Sequence, residues 1–359
     1  MDFFASQDAA RRKTGLLLLY FGLAVFLIIV AIYAALTFLF VYQQSKNGSF
    51  DPSRLWNPDL FISVVSLTLI VVVSGSLYKI AVLRTGGARV AEMLGGRLIP
   101  VGSRIFLEKR LLNIVEEMAI ASGVSVPPVY LLEEEKGINA FAAGFTTDDA
   151  VIGITRGALE TLSREELQGV VAHEFSHILN GDMWLDLKLV GFLHGILLIG
   201  LIGRSILRGS SRSRDSKNSG GAVLFGLVLL ILGYIGVLFG KLIKSGVSRQ
   251  REYLADASAV QFTRNPQGLA GALKKIGGLA AGSLMNNHRA EEISHMFFSN
   301  GLKASWVGAF STHPPLVERI TRLDPAFDGT FPTIVQKGLD STDAEEIASE
   351  EMRHVETVS

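Results

Sequence analysis

Val171-Ala172-His173-Glu174-Phe175-Ser176-His177-Ile178-Leu179-Asn180-Gly181-Asp182 contains the pattern H-E-x-x-H where a helix is strongly signalled. Ser163 can serve as N-cap, and Glu166 falls three residues later, the spacing of a capping box. Leu162 and Leu167 hold the two positions of a hydrophobic staple around that box. A helix begun there carries through His177 and runs out near Gly181. His173 and His177 are then i and i+4, one turn apart on one face. Two neutral imidazoles so placed can share one Zn2+ at about 2.0–2.1 Å each. Glu174 projects to the edge of that face, where it can take a proton from activated water rather than bind the metal. The bland alternative is a pair of partly buried histidines on an ordinary helix. The helix phase and the residues downstream favour the metal.

The 359 residues are 48% hydrophobic, with a mean hydropathy of +0.36. That is too apolar for an ordinary soluble domain, and the apolar residues come in blocks. Formal net charge is zero, so nothing points to nucleic acid. There is no cysteine, which excludes disulfides and thiolate ligands, so a zinc site must use His and carboxylate. The absence also fits a catalytic part in reducing cytosol.

Residues 1–99 read as a two-span membrane anchor with a linker. Arg11-Arg12-Lys13 precede an apolar run over 15–42, which as a helix would be about 42 Å long against a hydrocarbon core of about 30 Å. The run is much longer than the apolar part of a signal peptide, which favours an uncleaved span. A polar loop follows over 44–58, then a second span over 60–83, with Gly86-Gly87 and Gly95-Gly96 marking the linker. The basic residues after the second span put the amino terminus and everything after Arg84 in the cytoplasm.

Residues 100–183 read as the first half of a globular domain that carries the H-E-x-x-H helix. Leu107, Leu111, Ile114, Val115 and Met118 form a helical stripe that Gly123 stops. Val129–Leu132, Ala140–Phe145 and Ala150–Thr155 read as strands, the last two joined by a turn at Thr146–Asp149. Residues 184–245 read as a membrane hairpin. Its first arm, 189–203, is short at about 22 Å. A Ser/Gly/Arg-rich loop over 204–221 precedes the second arm, 222–240. The loop carries Arg204, Arg208, Arg212, Arg214 and Lys217, which opposes an outside location, so a hairpin that dips in without crossing is a live alternative. Residues 246–326 read as the second half of that globular domain, with a separate helix at Ser248–Ala257 and a long loop over 283–305. Residues 327–359 form a polar, acidic tail.

A two-histidine zinc site needs a third protein ligand and leaves one position for water. Glu252 and Asp256 are i and i+4 on a helix rich in small residues that can approach the motif helix closely. Glu252 then binds zinc, and Asp256 accepts the ring N–H of a ligand histidine and fixes its tautomer. The competing reading is a solvated Glu and Asp flanked by Arg249 and Arg251.

With these residues assembled, the chain resembles a known family. His173-Glu174-Phe175-Ser176-His177 with Asn180-Gly181-Asp182, then Arg251-Glu252-Tyr253-Leu254-Ala255-Asp256, then Ser311-Thr312-His313-Pro314-Pro315, is similar to the HtpX family of integral membrane zinc endopeptidases. The resemblance extends to Arg110–Ala121 and to Asn139-Ala140-Phe141-Ala142. It implies an α+β zincin fold of gluzincin type, mostly helical with a small sheet, joined to about four transmembrane helices. It also implies Glu252 as third ligand, one Zn2+ per chain, and quality control of misfolded or misassembled membrane proteins in a bacterial inner membrane. The partners expected are protein or peptide substrates and the lipid bilayer, with oligomerisation left open. His313 is the candidate donor to the developing oxyanion. Substrate is expected to bind as an added strand. Ala150–Thr155, with Val151 and Gly153, is the expected free edge, and Asn139 and Ala140 complete the expected substrate-binding set. The alternatives weighed are a CAAX-type prenyl-peptide endopeptidase, a non-enzymatic scaffold holding structural zinc, and a transporter or channel.

Overall fold

The computed structural model describes residues 3–45, 55–83, 86–212, 219–279, 298 and 313–333. Helices α1 (Phe3–Ser45), α2 (Pro58–Leu83) and α3 (Gly87–Met93) precede strand β1 (Arg97–Leu98) and helix α4 (Phe106–Ser122). Strands β2 (Val129–Leu132), β3 (Ala140–Ala143) and β4 (Val151–Thr155) lead into α5 (Arg156–Thr161) and α6 (Arg164–Asn180). Then come α7 (Asp182–Arg212), α8 (Ser219–Thr263), α9 (Pro266–Gly278) and α10 (Leu316–Leu323). The chain divides into two compact units, one of residues 11–84 and 185–247, the other carrying 85–184 and the chain from 248 onward.

Among the described residues, four helices are long and apolar enough to cross a membrane, with candidate spans Leu19–Val41, Pro58–Val82, Asp182–Ser210 and Gly220–Thr263. Within their unit they share a small core that includes Ile28, Ile32, Val72, Ile196 and Leu229. Large apolar side chains such as Phe38, Leu67, Leu77 and Phe239 point outward, as a lipid environment requires. Glycines bring the backbones together: a Cβ at Gly195 would sit 2.3 Å from Val72 O, and one at Gly233 2.3 Å from Gly200 N. Tyr33 ties α1 to the start of α2, donating to Leu55 O at 3.1 Å and accepting from Asn57 N–H at 2.9 Å.

Three sequence expectations change here. The helix expected as a short arm over 189–203 is α7, 31 residues long, and Arg204 and Arg208 lie in it rather than in a loop. Interspersed Ile202, Ile206 and Leu207 keep the helical pattern that the charges obscured. The second arm does not stop near residue 240 and restart; α8 is one helix of 45 residues that passes through Gly246. The supposed linker contains α3 and β1. Residues 46–54, 213–218, the 283–305 stretch apart from Phe298, and the tail beyond 333 lie outside the described residues.

In the unit that carries residues 85–184 the sheet order is β1-β2-β4-β3. β2 pairs with β4 in parallel, whereas β1–β2 and β3–β4 are antiparallel. The period-two alternation sorts the strands onto two faces. Val129, Leu131, Ala140, Ala142, Ile152 and Ile154 join the main core with α4, α6 and α9. Tyr130, Leu132, Phe141, Ala143 and Val151 pack with Ala91 and Leu94 around α3. In α4, Leu111, Ile114 and Val115 are wholly buried, worth about 1.5–3 kcal/mol each. Gly123 ends that helix in the left-handed conformation at φ 72°.

The substrate edge expected at Ala150–Thr155 is overturned by this order. β4 is an interior strand, bonded on one side to β2 and on the other to β3, so Val151 and Gly153 offer no free backbone to a peptide. Gly153 serves packing instead. A Cβ there would lie 2.1 Å from the Phe141 ring, which covers the glycine. Nearness to α6 in sequence does not decide position in a sheet, because the β3 hairpin returns to lie outside β4.

Candidate metal centre

α6 begins with the capping box expected: Ser163 Oγ accepts from Glu166 N–H at 3.3 Å, and Glu166 Oε2 accepts from Ser163 N–H at 2.8 Å. Gly169 lets α9 approach closely, since a Cβ there would meet Leu269 N at 2.7 Å. The helix ends at Gly181, whose φ of 66° reverses the chain into α7. Asn180 Nδ2 secures the turn by donating to Ser176 O at 2.8 Å. That turn places Asp182, first residue of α7, against the helix it has just left.

His173 and His177 present their Nε2 atoms 3.1 Å apart. Glu252, on α8, lies across from them, with Oε2 3.7 Å from His173 Nε2 and Oε1 3.6 Å from His177 Nε2. One ligand atom from each residue falls within 4.8 Å of the other two. Each ring is backed on its far side: His173 Nδ1 meets Asp256 Oδ1 at 2.9 Å, and His177 Nδ1 meets Asp182 Oδ2 at 2.8 Å. A carboxylate there keeps the proton on Nδ1 and leaves the Nε2 lone pair to face the centre. Two lone pairs and a carboxylate converging at these distances call for a cation, so the residues fit a metal.

The electrostatics agree. Burial pushes His173 down to about 4, against the pull of Asp256. Burial also opposes a charge on His177, but the hydrogen bond and charge of Asp182 outweigh it and raise that ring to about 9. The charge of His177 also helps to hold His173 down, so the two facing rings oppose each other's protonation. Glu174 is buried, and neither carboxylate oxygen has a hydrogen-bond partner among the described residues. Burial pushes it up to about 8 against the opposing field of His177. The Ala142 N–H of β3 faces it without completing a hydrogen bond and draws it down slightly.

Known proteins share the sequence that builds this site. The family description "Peptidase family M48" matches residues 107–326. A protein called Protease HtpX homolog from Thermoanaerobacter pseudethanolicus is 44% identical over 217 residues, covering 59% of this chain and 70% of that protein. Its namesake from Bacteroides fragilis strain YCH46 is 31% identical over 335 residues, covering 89% of this chain and 97% of the relative. The chain belongs to the HtpX branch of peptidase family M48. It is therefore a membrane metalloendopeptidase, with a mostly helical fold and a small four-stranded sheet. Among solved structures, the crystal structure of S. mikatae Ste24p matches with 19% identity and a TM-score of 0.39, over 89% of this chain and 66% of that one.

Of the residues expected from sequence, the HtpX-type site brings together His173, Glu174, His177, Glu252 and Asp256. His313 joins them: it is buried, with Nδ1 2.9 Å from Glu252 Oε2. Asn139 and Ala140 lie at the sheet's edge, but Asn139 Oδ1 accepts from Ala140 N–H at 3.0 Å and Ala140 O accepts from Phe298 N–H at 2.8 Å.

Sequence reasoning missed Asp182, Arg251 and Arg319. Arg251 Nη1 donates to Asp182 Oδ1 at 2.6 Å. Arg319 is wholly buried and forks onto Asp256, Nε to Oδ2 at 2.9 Å and Nη2 to Oδ1 at 2.7 Å. Its Nη1 also lies 3.3 Å from Glu252 Oε2. Burial opposes the Arg319 cation, but Asp256 and Glu252 more than restore it and raise its pKa further. A signal for Arg319 existed. α10 buries Arg319, Ile320 and Leu323, so the arginine sits on the inward face of its helix. A charge on that face needs a buried partner.

Proposed function

We propose that the metal is Zn2+, held by His173, His177 and Glu252, and that the chain hydrolyses peptide bonds of misfolded or misassembled membrane proteins at the cytoplasmic face of a bacterial inner membrane. The observation that carries the zinc assignment is the two-His, one-Glu set with a carboxylate behind each ring. Bound Zn2+ supplies Lewis acidity for water and for the scissile carbonyl. Glu174 takes the water's proton and passes it to the leaving amine, a task suited to a carboxyl that burial has brought near neutral pH. His313, beside the third ligand, donates to the developing oxyanion. Asp256 and Asp182 orient the ligand rings, and Arg319 holds Asp256 and Glu252 in place.

The substrate lies along β3, the outer strand at this end of the sheet among the described residues. Thr155 N–H donates to Asn139 O at 3.1 Å, so residues 139, 141 and 143 direct their backbone groups toward β4, and Ala140 and Ala142 direct theirs outward. Ala142 borders Glu174, so an extended peptide paired there passes the catalytic carboxyl. The cytoplasmic placement is supported by the basic residues that follow the second apolar segment.

Full-length protein purified in detergent tests the reading. Wild type should contain one zinc per chain and cleave casein, and a chelator should abolish cleavage. Glu174→Gln should keep the zinc and lose turnover, because Glu174 carries a proton and is not a ligand. Near-wild-type cleavage by zinc-loaded Glu174→Gln would sink the assignment. A cysteine at position 148 should react with a membrane-impermeant reagent only after lysis; labelling of intact cells would place the catalytic unit outside.

A further inference from the structure

Phe298 is fixed at the site by four contacts. Its N–H donates to Ala140 O at 2.8 Å, and its carbonyl accepts from Arg319 Nη1 at 3.0 Å. Its ring meets the His173 ring edge-on, with centroids 4.9 Å apart, and lies 5.0 Å from the Arg319 guanidinium carbon. The residue is 1% exposed. The bond to Ala140 O uses one of the few outward-facing acceptors of β3, and Asn139 Oδ1 already engages the Ala140 N–H. At Ala140 the sheet edge is therefore closed, by a residue clamped between a metal ligand and the arginine that orients its neighbours.

We propose that Phe298 is a specificity-determining residue that ends the substrate strand. The proposal rests on the reading that substrate adds to β3. An antiparallel peptide on β3, the more stable pairing, runs from Gly144 toward Ala140. Its amino-terminal side can pair with Ala142, the other outward-facing residue of β3. Its carboxyl-terminal side reaches Phe298 and must leave the sheet there. The enzyme thus recognises backbone mainly on the acyl side of the cleaved bond and imposes little strand register on the leaving side. Chains with a fold, charge or bulky group shortly after the cleaved bond remain substrates.

Quenched peptides built around one casein cleavage site decide the matter with the zinc-loaded full chain in detergent. In wild type, added residues on the amino side should lower KM, whereas added residues on the carboxyl side should leave it unchanged. N-methylation of the amide expected to pair with Ala142 should raise KM about 2- to 10-fold, the worth of one hydrogen bond. Phe298→Ala keeps the backbone N–H but loses the ring contacts to His173 and Arg319 that clamp it, so a peptide can compete for Ala140 O. Carboxyl-side residues should then begin to lower KM by a similar factor, more weakly in Phe298→Leu. A purely packing role would instead change kcat for every peptide alike. If carboxyl-side residues lower KM in wild type as strongly as amino-side ones, Phe298 is not a stop, and strand addition survives. If neither extension nor N-methylation on the amino side alters KM, strand addition itself fails. The wild-type series separates these outcomes even if a variant does not fold.

Discussion

The two histidines of the candidate metal centre are backed by the same pattern in two different settings. Behind His173 stand Asp256 and Arg319, all three essentially inaccessible. Behind His177 stand Asp182 and Arg251, with side-chain exposures of 16%, 8% and 14% along that row. Each row is imidazole, carboxylate, guanidinium. The first is sealed from water, and its arginine also lies 3.3 Å from Glu252 Oε2. Water can replace a lost partner in the outer row but not in the inner one. Loss of a partner should therefore cost more in the inner row than in the outer one.

The comparison can be broken most severely at Arg319. Arg319→Met would strand Asp256 and weaken the hold on Glu252, at a cost of about 3–5 kcal/mol for breaking a buried ion pair. The expected result is loss of folded protein in chemical denaturation and loss of bound metal; a stable, metal-replete variant would remove Arg319 from the site. Asp256→Asn comes next. It keeps the shape but lets the amide present either end to His173 Nδ1, and metal affinity should fall toward the upper part of the roughly 10- to 100-fold range for such partners. Asp182→Asn should fall toward the lower part, because the His177 side is partly wetted. Competition with a chromophoric chelator measures both. Equal losses would show that burial does not separate the two rows.

What can be read from sequence follows the range of the interactions. The capping box at Ser163 and Glu166, the stop at Gly181 and the strand Val129–Leu132 are written within a few neighbouring residues, and they stand as expected. Glu252 and Asp256 are legible in the sequence because their i, i+4 spacing is also local. The failures lie where distant segments decide. Whether Ala150–Thr155 is an edge depends on where β3 folds back, and no residue in that strand encodes it. Arg204 and Arg208 suggest a loop only when charge is weighed over the apolar residues between them, which continue α7. Arg319 lies 63 residues from Asp256, too far for any spacing rule. Asp182 is in plain view within the motif, but its role depends on the reversal at Gly181.

That reversal also bears on the order in which the site forms. Closing His177 onto Asp182 spans five residues, whereas closing His173 onto Asp256 spans 83. The difference in loop-closure entropy is about 2–3 kcal/mol in favour of the short loop. One half of the site can thus take shape as soon as α6 and the first turn of α7 have left the ribosome. The other half waits for α8 and α10. A newly made chain should pass through a state with His177 already oriented and no third ligand, which cannot yet cut its neighbours. Pulsed hydrogen exchange that protected the α6–α7 turn no earlier than the Glu252 segment would argue against this sequence of events.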